Sequence, residues 1–222
     1  MKSFDSAKFK AGQLQVVYSD NHVLIVVKPA GCLTQPDDTG RQSLEVLAKE
    51  WVKIKYNKPG DVFLHCIHRI DRPVYGLVMF ARTSKALSRM NESSRDNLIQ
   101  RLYTAEVEGI LDPQEGTLQH YLIHGDYKAI LANERNKDAK KAVLNYKTIS
   151  NKKQSTLVTV ELKTGRYHQI RAQFAAIKHP VIGDGKYGAR QADEIIHLAC
   201  TDISLPHPVT KEQLTFHIDA PF

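Results

Sequence analysis

The chain has few cysteines, and their spacing excludes a fold held together by disulfides. Only three occur in 222 residues, Cys32, Cys66 and Cys200, and no two of them form a C-x2-C pair. An odd number of scattered cysteines is typical of a reducing compartment, where the thiols serve as small packing residues. A chain of this length can bury a sizeable core without disulfides or a structural metal.

Long apolar runs and biased segments are also missing from the sequence. The longest continuous apolar run near the start covers residues 23–27, and residues 1–12 lack the apolar core of a signal peptide. We find no internal repeat, low-complexity tract or linker. These absences exclude collagen-like and tail-like proteins, and they predict a protein of the cytoplasm that does not cross a membrane.

Basic residues exceed acidic residues in this sequence. It contains 31 Lys and Arg against 24 Asp and Glu, a net charge of +7, within an ordinary globular composition. Residues 131–154 hold seven basic and two acidic residues, so most of the net charge lies in this segment. Such a segment fits either the solvated surface of a hairpin or a contact with a polyanion, and both interpretations stay open.

Apolar patterning predicts many short strands and three helices. A hairpin opens the fold, with strands at 14–18 and 22–27 that are joined by a polar turn. The predicted helices follow Ser43, follow Thr83 or Ser84, and cover residues 167–178. The other predicted strands cover residues 62–67, 76–81, 102–109, 118–124, 155–162, 196–205 and 214–218.

The segment with the most reactive side chains is residues 65–72 (HCIHRIDR), at the end of a predicted strand. His65, His68 and Asp71 are of the types that ligate zinc or iron. Residues three apart on a strand point to opposite faces, however, so the two histidines would converge only if the strand had already ended. This geometry argues against a metal site.

A second interpretation of the same segment makes Asp71 catalytic. Arg69 and Arg72 flank it in the sequence, and neighbouring positive charge keeps an aspartate ionised, so that it can act as a nucleophile or a base. An ordinary ion pair in a turn explains the same three residues. From this segment alone, both interpretations remain open.

A second polar cluster, residues 164–171 (TGRYHQIR), stands at the start of the third predicted helix. His168 and Arg171 are three apart, so we expect them to share one face of that helix. The amino-terminal end of a helix favours anionic groups. The alternative is a surface helix whose arginines are solvated.

Together these segments resemble a known enzyme family. Residues 68–72 (HRIDR), followed by 76–83 (GLVMFART), resemble the catalytic motif of the RluA-type pseudouridine synthases. Several spaced motifs in the right order are more specific than any one of them, and the resemblance spans residues 14–221. The other matching motifs are residues 28–31 (KPAG), 103–109 (YTAEVEG), 164–171 (TGRYHQIR), 183–188 (GDGKYG) and the His207–Pro208 turn.

The resemblance and the strand-rich pattern together imply an α+β fold. It has a mixed, mainly antiparallel sheet with flanking helices, and two subdomains around a central catalytic cleft. Residues 1–13 are expected to be a short extension, and residues 14–222 the catalytic domain, without the accessory RNA-binding domain of many relatives. The chain departs from the family pattern at residues 73–75 (PVY) and at Tyr167, which replaces a common threonine.

The resemblance implies that the protein isomerises a uridine in ribosomal or transfer RNA to pseudouridine. The reaction proceeds by base flipping and depends on an aspartate, and it requires no cofactor and no metal. Asp71 would be the nucleophilic or basic carboxylate, Arg171 the arginine that pairs with it, and Tyr103 the tyrosine against the target base. Arg69 matches the residue that enters the RNA where the target nucleotide has left.

Other basic residues are expected to contact the RNA backbone, and the protein is expected to act as a monomer. A non-catalytic RNA-binding protein or ribosome assembly factor is the alternative, and a metal-dependent hydrolase is a third class. The remaining predicted RNA contacts are Arg72, Arg166, His168, Lys140 and Lys141.

Overall fold

Residues 9–222 are described by the computed structural model, and they divide into two units. The first unit consists of the described residues up to Arg101 together with Cys200–Ala220. The second consists of Leu102–Ala199 and Pro221–Phe222. Two units agree with the two subdomains that the resemblance implies. Of the expected extension 1–13, residues 1–8 lie outside the described residues, and Ala11–Gln13 form a 3-10 helix.

Eleven strands and three α-helices are found within residues 9–222. None of these helices is long and apolar enough to cross a membrane. In chain order the elements are β1 (Val16–Ser19), β2 (Val23–Lys28), α1 (Leu44–Lys55), β3 (His65–Cys66), β4 (Tyr75–Ala81), α2 (Ser84–Arg95), β5 (Gln100–Glu108), β6 (Glu115–His124), β7 (Ala129–Ala132), β8 (Lys140–Asn151), β9 (Ser155–Leu162), α3 (Gln169–Ala176), β10 (Leu198–Pro206) and β11 (Gln213–His217).

The first unit is built around β2, which is buried along its whole length. This strand pairs antiparallel with β1 on one side and with β4 on the other, so both of its edges are satisfied. A strand in this position is expected to be continuously apolar, as residues 23–27 are. The carboxylate of Asp20 accepts the amide N–H groups of His22 and Val23, both at 2.7 Å, and closes the β1–β2 turn.

Sheet order in the second unit is β5-β9-β8-β6-β7, and each of these neighbouring pairs is antiparallel. The strand predicted at 155–162 is confirmed as β9. A buried cluster on β6, β7, β8 and α3 lies on one face of this sheet, and Tyr167 and Tyr187 pack against it. Its members are Leu122, Ala129, Ala142 and Ala172. The α+β fold with a mainly antiparallel sheet is therefore confirmed.

Two predicted elements differ from the structure. The strand predicted at 62–67 is reduced to His65 and Cys66, because the edge of β4 that β3 pairs with is shared with β10. The third helix does not cover residues 167–178, because His168 (φ 51°) and Lys178 (φ 66°) both adopt the left-handed conformation. Such residues end a helix rather than continue it.

The backbone of Cys200 approaches Gly76 of β4 so closely that there is no room for a side chain at this position. The φ of Gly76 is +130°, and a Cβ atom there would lie 2.3 Å from the carbonyl oxygen of Cys200. We expect Gly76→Ala to lower the free energy of unfolding by about 3 kcal/mol or more, because both backbone strain and a backbone clash result. Urea denaturation measures this change.

Gly60→Ala is the matched control for this substitution. A Cβ atom at Gly60 meets nothing within 4 Å, so the free energy of unfolding should change by less than about 1 kcal/mol. Denaturation midpoints for Gly76→Ala that coincide with those of Gly60→Ala would contradict the close approach of Gly76 to Cys200.

Candidate active site

Asp71 lies in the loop between β3 and β4, and it is half-buried. The side chains before it alternate between the interior and the solvent. His68 and Ile70 are buried, whereas Arg69 and Arg72 are exposed. The structure thus places the carboxylate of Asp71 between two exposed arginines in sequence, at the boundary of the buried core.

The main chain on both sides of Asp71 is held by the loop that follows β2. The hydroxyl group of Thr34 donates to the carbonyl oxygen of Ile70 at 2.7 Å and accepts the N–H of the same residue at 3.3 Å. The N–H of Gly31 donates to the carbonyl oxygen of Arg72 at 2.7 Å. Because both neighbours are fixed, the position from which the Asp71 side chain projects is fixed as well.

Lys28 completes this support from the end of β2. Its side chain is fully buried, and Nζ donates to the carbonyl oxygens of Pro29 (3.1 Å), Cys32 (2.7 Å) and Arg72 (3.1 Å). Burial lowers the pKa of Lys28 to about 7, while Cys32 and the carboxylate of Asp71 act in the opposite direction. The three hydrogen bonds of Lys28 join the end of β2 to the loop that follows it and to the loop that contains Asp71.

Sequence reasoning matched the 28–31 motif but assigned Lys28 no role. The signal was present, since Lys28 is the one charged residue in an otherwise apolar strand and stands directly before a proline. A lysine that is buried requires acceptors for its ammonium group. Which acceptors it finds depends on Arg72, which is 44 residues further along the chain.

His68 has a structural role in this part of the chain. Burial, together with the charge of Arg101, lowers its pKa well below 6.5, so the imidazole is neutral. Its Nε2 accepts the N–H of Met79 at 3.4 Å. Among residues 9–222, no group of three or more His, Cys, Asp or Glu side chains is placed to hold a metal ion.

Arg171 is buried in α3 of the second unit, where it forms a bidentate ion pair with Asp184. Its Nε lies 2.6 Å from Oδ2 and its Nη2 lies 2.8 Å from Oδ1, and both side chains are at most 4% exposed. The guanidinium carbon also lies 5.1 Å from the centre of the Tyr187 ring. Two parallel hydrogen bonds fix the plane of the guanidinium group.

Sequence reasoning missed Asp184 as a functional residue. Its motif, residues 183–188, was matched to the family, but no partner was assigned to the carboxylate. Asp184 is 1% exposed, and a carboxylate that is buried to this extent needs a charged or hydrogen-bonding partner. A carboxylate in a glycine-rich motif was the available signal, but only the fold brings it to Arg171.

The expectation that His168 and Arg171 share a helical face is wrong. His168 precedes α3 and has a left-handed backbone (φ 51°), so it is not part of the helix. Its ring stacks on Tyr167 at 3.9 Å, and its Nδ1 lies 3.0 Å from the hydroxyl oxygen of Tyr187. The predicted RNA contact His168 is therefore 8% exposed and packed within a group of rings.

The other predicted site residues of the second unit lie on strands or at the surface. Tyr103 is on β5, 5% exposed, and opposite Val160 of β9. Arg166 is exposed, and its Nε donates to the carbonyl oxygen of Lys141 at 2.9 Å. Lys140 and Lys141 are exposed at the start of β8, so the structure brings these two lysines and Arg166 together.

Solved structures show which class of protein has this fold. The human protein RNA Pseudouridylate Synthase Domain Containing 4 matches with a TM-score of 0.79 and 20% identity, over 93% of this chain and 88% of that one. The human protein RNA Pseudouridylate Synthase Domain Containing 1 matches with a TM-score of 0.77 and 18% identity, over 96% and 86%. The fold is that of the pseudouridine synthases.

Sequence comparison identifies the family. Residues 22–176 match the sequence model of the family described as RNA pseudouridylate synthase. An uncharacterized RNA pseudouridine synthase of Bacillus subtilis, YhcT, is 31% identical over 95% of this chain and 69% of its own length. Ribosomal large subunit pseudouridine synthase C of Vibrio cholerae is 29% identical over 91% and 64%.

The chain belongs to the RNA pseudouridylate synthase family, whose reaction is the isomerisation of uridine to pseudouridine in RNA. It spans about two thirds of the length of the curated relatives it matches. The match confirms the resemblance found in the sequence, and it does not favour the alternative of a non-catalytic RNA-binding or assembly factor.

The ion pair between Arg171 and Asp184 predicts a large effect of a small substitution. Asp184→Asn removes the charge of the carboxylate that holds the buried guanidinium group through two hydrogen bonds, so we expect the free energy of unfolding to fall by about 3–5 kcal/mol. Thermal or urea denaturation measures this loss.

Glu115→Gln is the control, since Glu115 pairs with Lys147 on the surface of the same unit at 3.5 Å. We expect it to change stability by less than about 1 kcal/mol. Equal effects of the two substitutions would show that the buried pair contributes no more than an exposed one.

Proposed function

We propose that this protein converts a uridine of ribosomal or transfer RNA to pseudouridine, with Asp71 as the nucleophilic or basic carboxylate. The observation that favours Asp71 for this role is that the backbone on both sides of it is held in place by hydrogen bonds. Ile70 and Arg72, on either side of it, are each held through their backbone by hydrogen bonds from the loop after β2. A carboxylate that must meet one atom of a base gains rate from such fixed placement.

Arg171 and Tyr103 complete the proposed catalytic set. In this proposal Arg171 pairs with Asp71 and keeps it ionised. A guanidinium group has five N–H donors, and its bidentate contact with Asp184 uses two of them while fixing its plane. Tyr103 is proposed to lie against the target base, where its phenol stacks on the ring and assists removal of the C5 proton.

The uridine must leave the RNA stack before it can react. Flipping a base costs a few kcal/mol, and a planar guanidinium group that takes its place offsets part of this cost. Arg69 is exposed beside the loop at Asp71, and we propose that it enters the RNA at the vacated position. Arg72, which is also exposed, is proposed to contact the backbone.

The chemistry is an isomerisation in which the glycosidic bond from N1 breaks, the uracil rotates, and a carbon–carbon bond forms from C5. C5 loses a proton and N1 gains one, so the atoms balance, and because no electrons are gained or lost the reaction requires no electron carrier. We propose that the protein acts as a monomer in the cytoplasm. Ribosomal RNA is a natural target class, because several relatives are named ribosomal large subunit pseudouridine synthases.

The proposed role of Asp71 predicts complete dependence of the reaction on its carboxylate. Release of tritium from RNA labelled at C5 of uridine measures turnover. We expect Asp71→Asn to lower the single-turnover rate at saturating RNA by about 10³-fold or more, because no other group replaces the carboxylate. Binding of the same RNA in a filter assay should persist.

Asp61→Asn is the matched control, since Asp61 is exposed elsewhere in the same unit, and it should release tritium at the wild-type rate. Tritium release by Asp71→Asn at that rate would refute the catalytic assignment. A wild-type protein that binds RNA but releases no tritium from any total RNA would favour the non-catalytic alternative. Loss of activity in EDTA would favour a metal-dependent enzyme.

The exposed lysines at the start of β8 predict a contribution to RNA affinity. Replacing Lys140 and Lys141 together by glutamate should weaken RNA binding and reduce its salt dependence, because fewer counterions are released on binding. The single-turnover rate at saturating RNA should change little. An equal loss of rate at saturation would contradict a role in binding alone.

A further inference from the structure

A pocket of about 470 Å³ lies within the second unit. It is formed by the end of β6, the loop before β8 and the segment before α3. Its volume is within the range of about 300–1,000 Å³ in which proteins hold small organic ligands. The lining residues that matter for its chemistry are Leu122, His124, Lys137, Lys140, Arg166 and Tyr167.

A column of rings forms one wall of this pocket. His124 stacks on Tyr167, with ring centres 4.1 Å apart and planes 27° apart, and Tyr167 stacks on His168 at 3.9 Å and 22°. Since two nearly parallel rings cannot occupy one face, the two imidazoles cover opposite faces of Tyr167. The exposed imidazole of His124 is therefore the outer end of the column, where another planar group can stack.

The inner end of the column is anchored in the core. The ring of His168 meets the Tyr187 ring edge-on with centres 5.6 Å apart, and its Nδ1 lies 3.0 Å from the Tyr187 hydroxyl oxygen. That oxygen accepts the N–H of Ala129, in the buried cluster, at 2.7 Å. The column is thus held in place before any ligand binds, which lowers the entropy that binding costs.

Cationic groups surround the outer end of the column. Lys137, Lys140 and Arg166 line the pocket, against one acidic residue, Asp138. The Nε of Arg166 donates to a backbone carbonyl at 2.9 Å, which orients its guanidinium group. Lys140 lies opposite Leu122 in the β6–β8 ladder, so it projects from the face of the sheet that carries the pocket.

We propose that this pocket binds an unpaired nucleotide of the substrate RNA other than the uridine that reacts. Its base stacks on His124, and its phosphate is held by Lys137, Lys140 and Arg166. Stacking on a ring beside cationic groups is how proteins hold single-stranded nucleotides with little preference for the base. The proposal rests on the proposed function for the identity of the ligand, and it assigns the pocket to recognition of unpaired RNA.

Binding of a fluorescein-labelled 12-nucleotide oligouridine, followed by anisotropy, tests the proposal. His124→Ala removes the stacking surface and should raise Kd about five- to hundred-fold. Lys140→Ala should raise Kd and lower the slope of log Kd against log salt by about 0.7. Both residues are exposed, so both variants should retain the wild-type circular dichroism and denaturation midpoint.

Two surface residues outside the pocket are the controls. Tyr127→Ala removes an aromatic ring that is 72% exposed, and Lys53→Ala removes one positive charge from α1. Both should bind the oligouridine within twofold of the wild type. Pocket variants that bind as tightly as these controls would overturn the proposal.

A double-mutant cycle separates the pocket from a general basic surface. His124 and Lys140 are proposed to hold one nucleotide, so the effects of His124→Ala and Lys140→Ala on Kd should not multiply independently. Lys141 follows Lys140 in β8 and projects from the other face of the strand, so its effect should be independent of His124. Independent effects in both cycles would overturn the shared site.

Photo-crosslinking locates the contact without any reliance on activity. An oligouridine that contains 4-thiouridine should crosslink to peptides with His124 or Tyr167, and a complementary strand should suppress the crosslink. Crosslinks confined to other peptides would overturn the proposal. So would uridine monophosphate that competes at the Kd of the oligouridine, because the ligand would then be a free nucleotide.

Failure of the proposed function is distinguishable from failure of the pocket. A wild-type protein that releases no tritium, but whose oligouridine binding depends on His124, would retain the pocket and lose the reaction. Normal tritium release with unchanged oligouridine binding by the pocket variants would retain the reaction and overturn the pocket.

Discussion

The ammonium group of Lys28 lies at the end of β2 with three backbone carbonyl oxygens around it. One of them belongs to Arg72, the residue after Asp71, so the buried amino group of Lys28 joins the strand to the loop of the proposed catalytic carboxylate. Burying an amino group is costly unless acceptors are in place, and burial lowers the pKa of Lys28 to about 7. Displacing the loop would remove one of the three acceptors, so the hydrogen bonds favour the observed conformation.

The second unit uses the same principle with a different pair. Asp184 holds the guanidinium group of Arg171 through two hydrogen bonds in a site from which solvent is almost absent. A buried ion pair adds little to the net stability of a protein, because removing both charges from water is costly. Separating its partners is strongly unfavourable, however, so other rotamers of Arg171 are penalised. In each unit a buried side chain therefore holds the chain at, or directly beside, a residue that the family resemblance marks as functional.

Local signals predicted much of the secondary structure. Ser43 begins α1 and accepts the N–H of Val46, as expected for a capping residue, and β9 coincides with its apolar pattern. Elements whose ends depend on distant partners were predicted less well. The length of β3 is set by how β10 shares the edge of β4, and neither strand's own sequence contains that information.

The sequence by itself determined the family and the reaction class, because the order and spacing of several motifs can be recognised without knowing which residues are in contact. It also indicated Asp71, Tyr103 and Arg171 as the residues to examine. Only the tertiary structure decided that Lys28 supports the loop at Asp71, that Asp184 holds Arg171, and that rings from β6 and the segment before α3 form one column. These contacts join residues far apart in the chain, and no local periodicity encodes them.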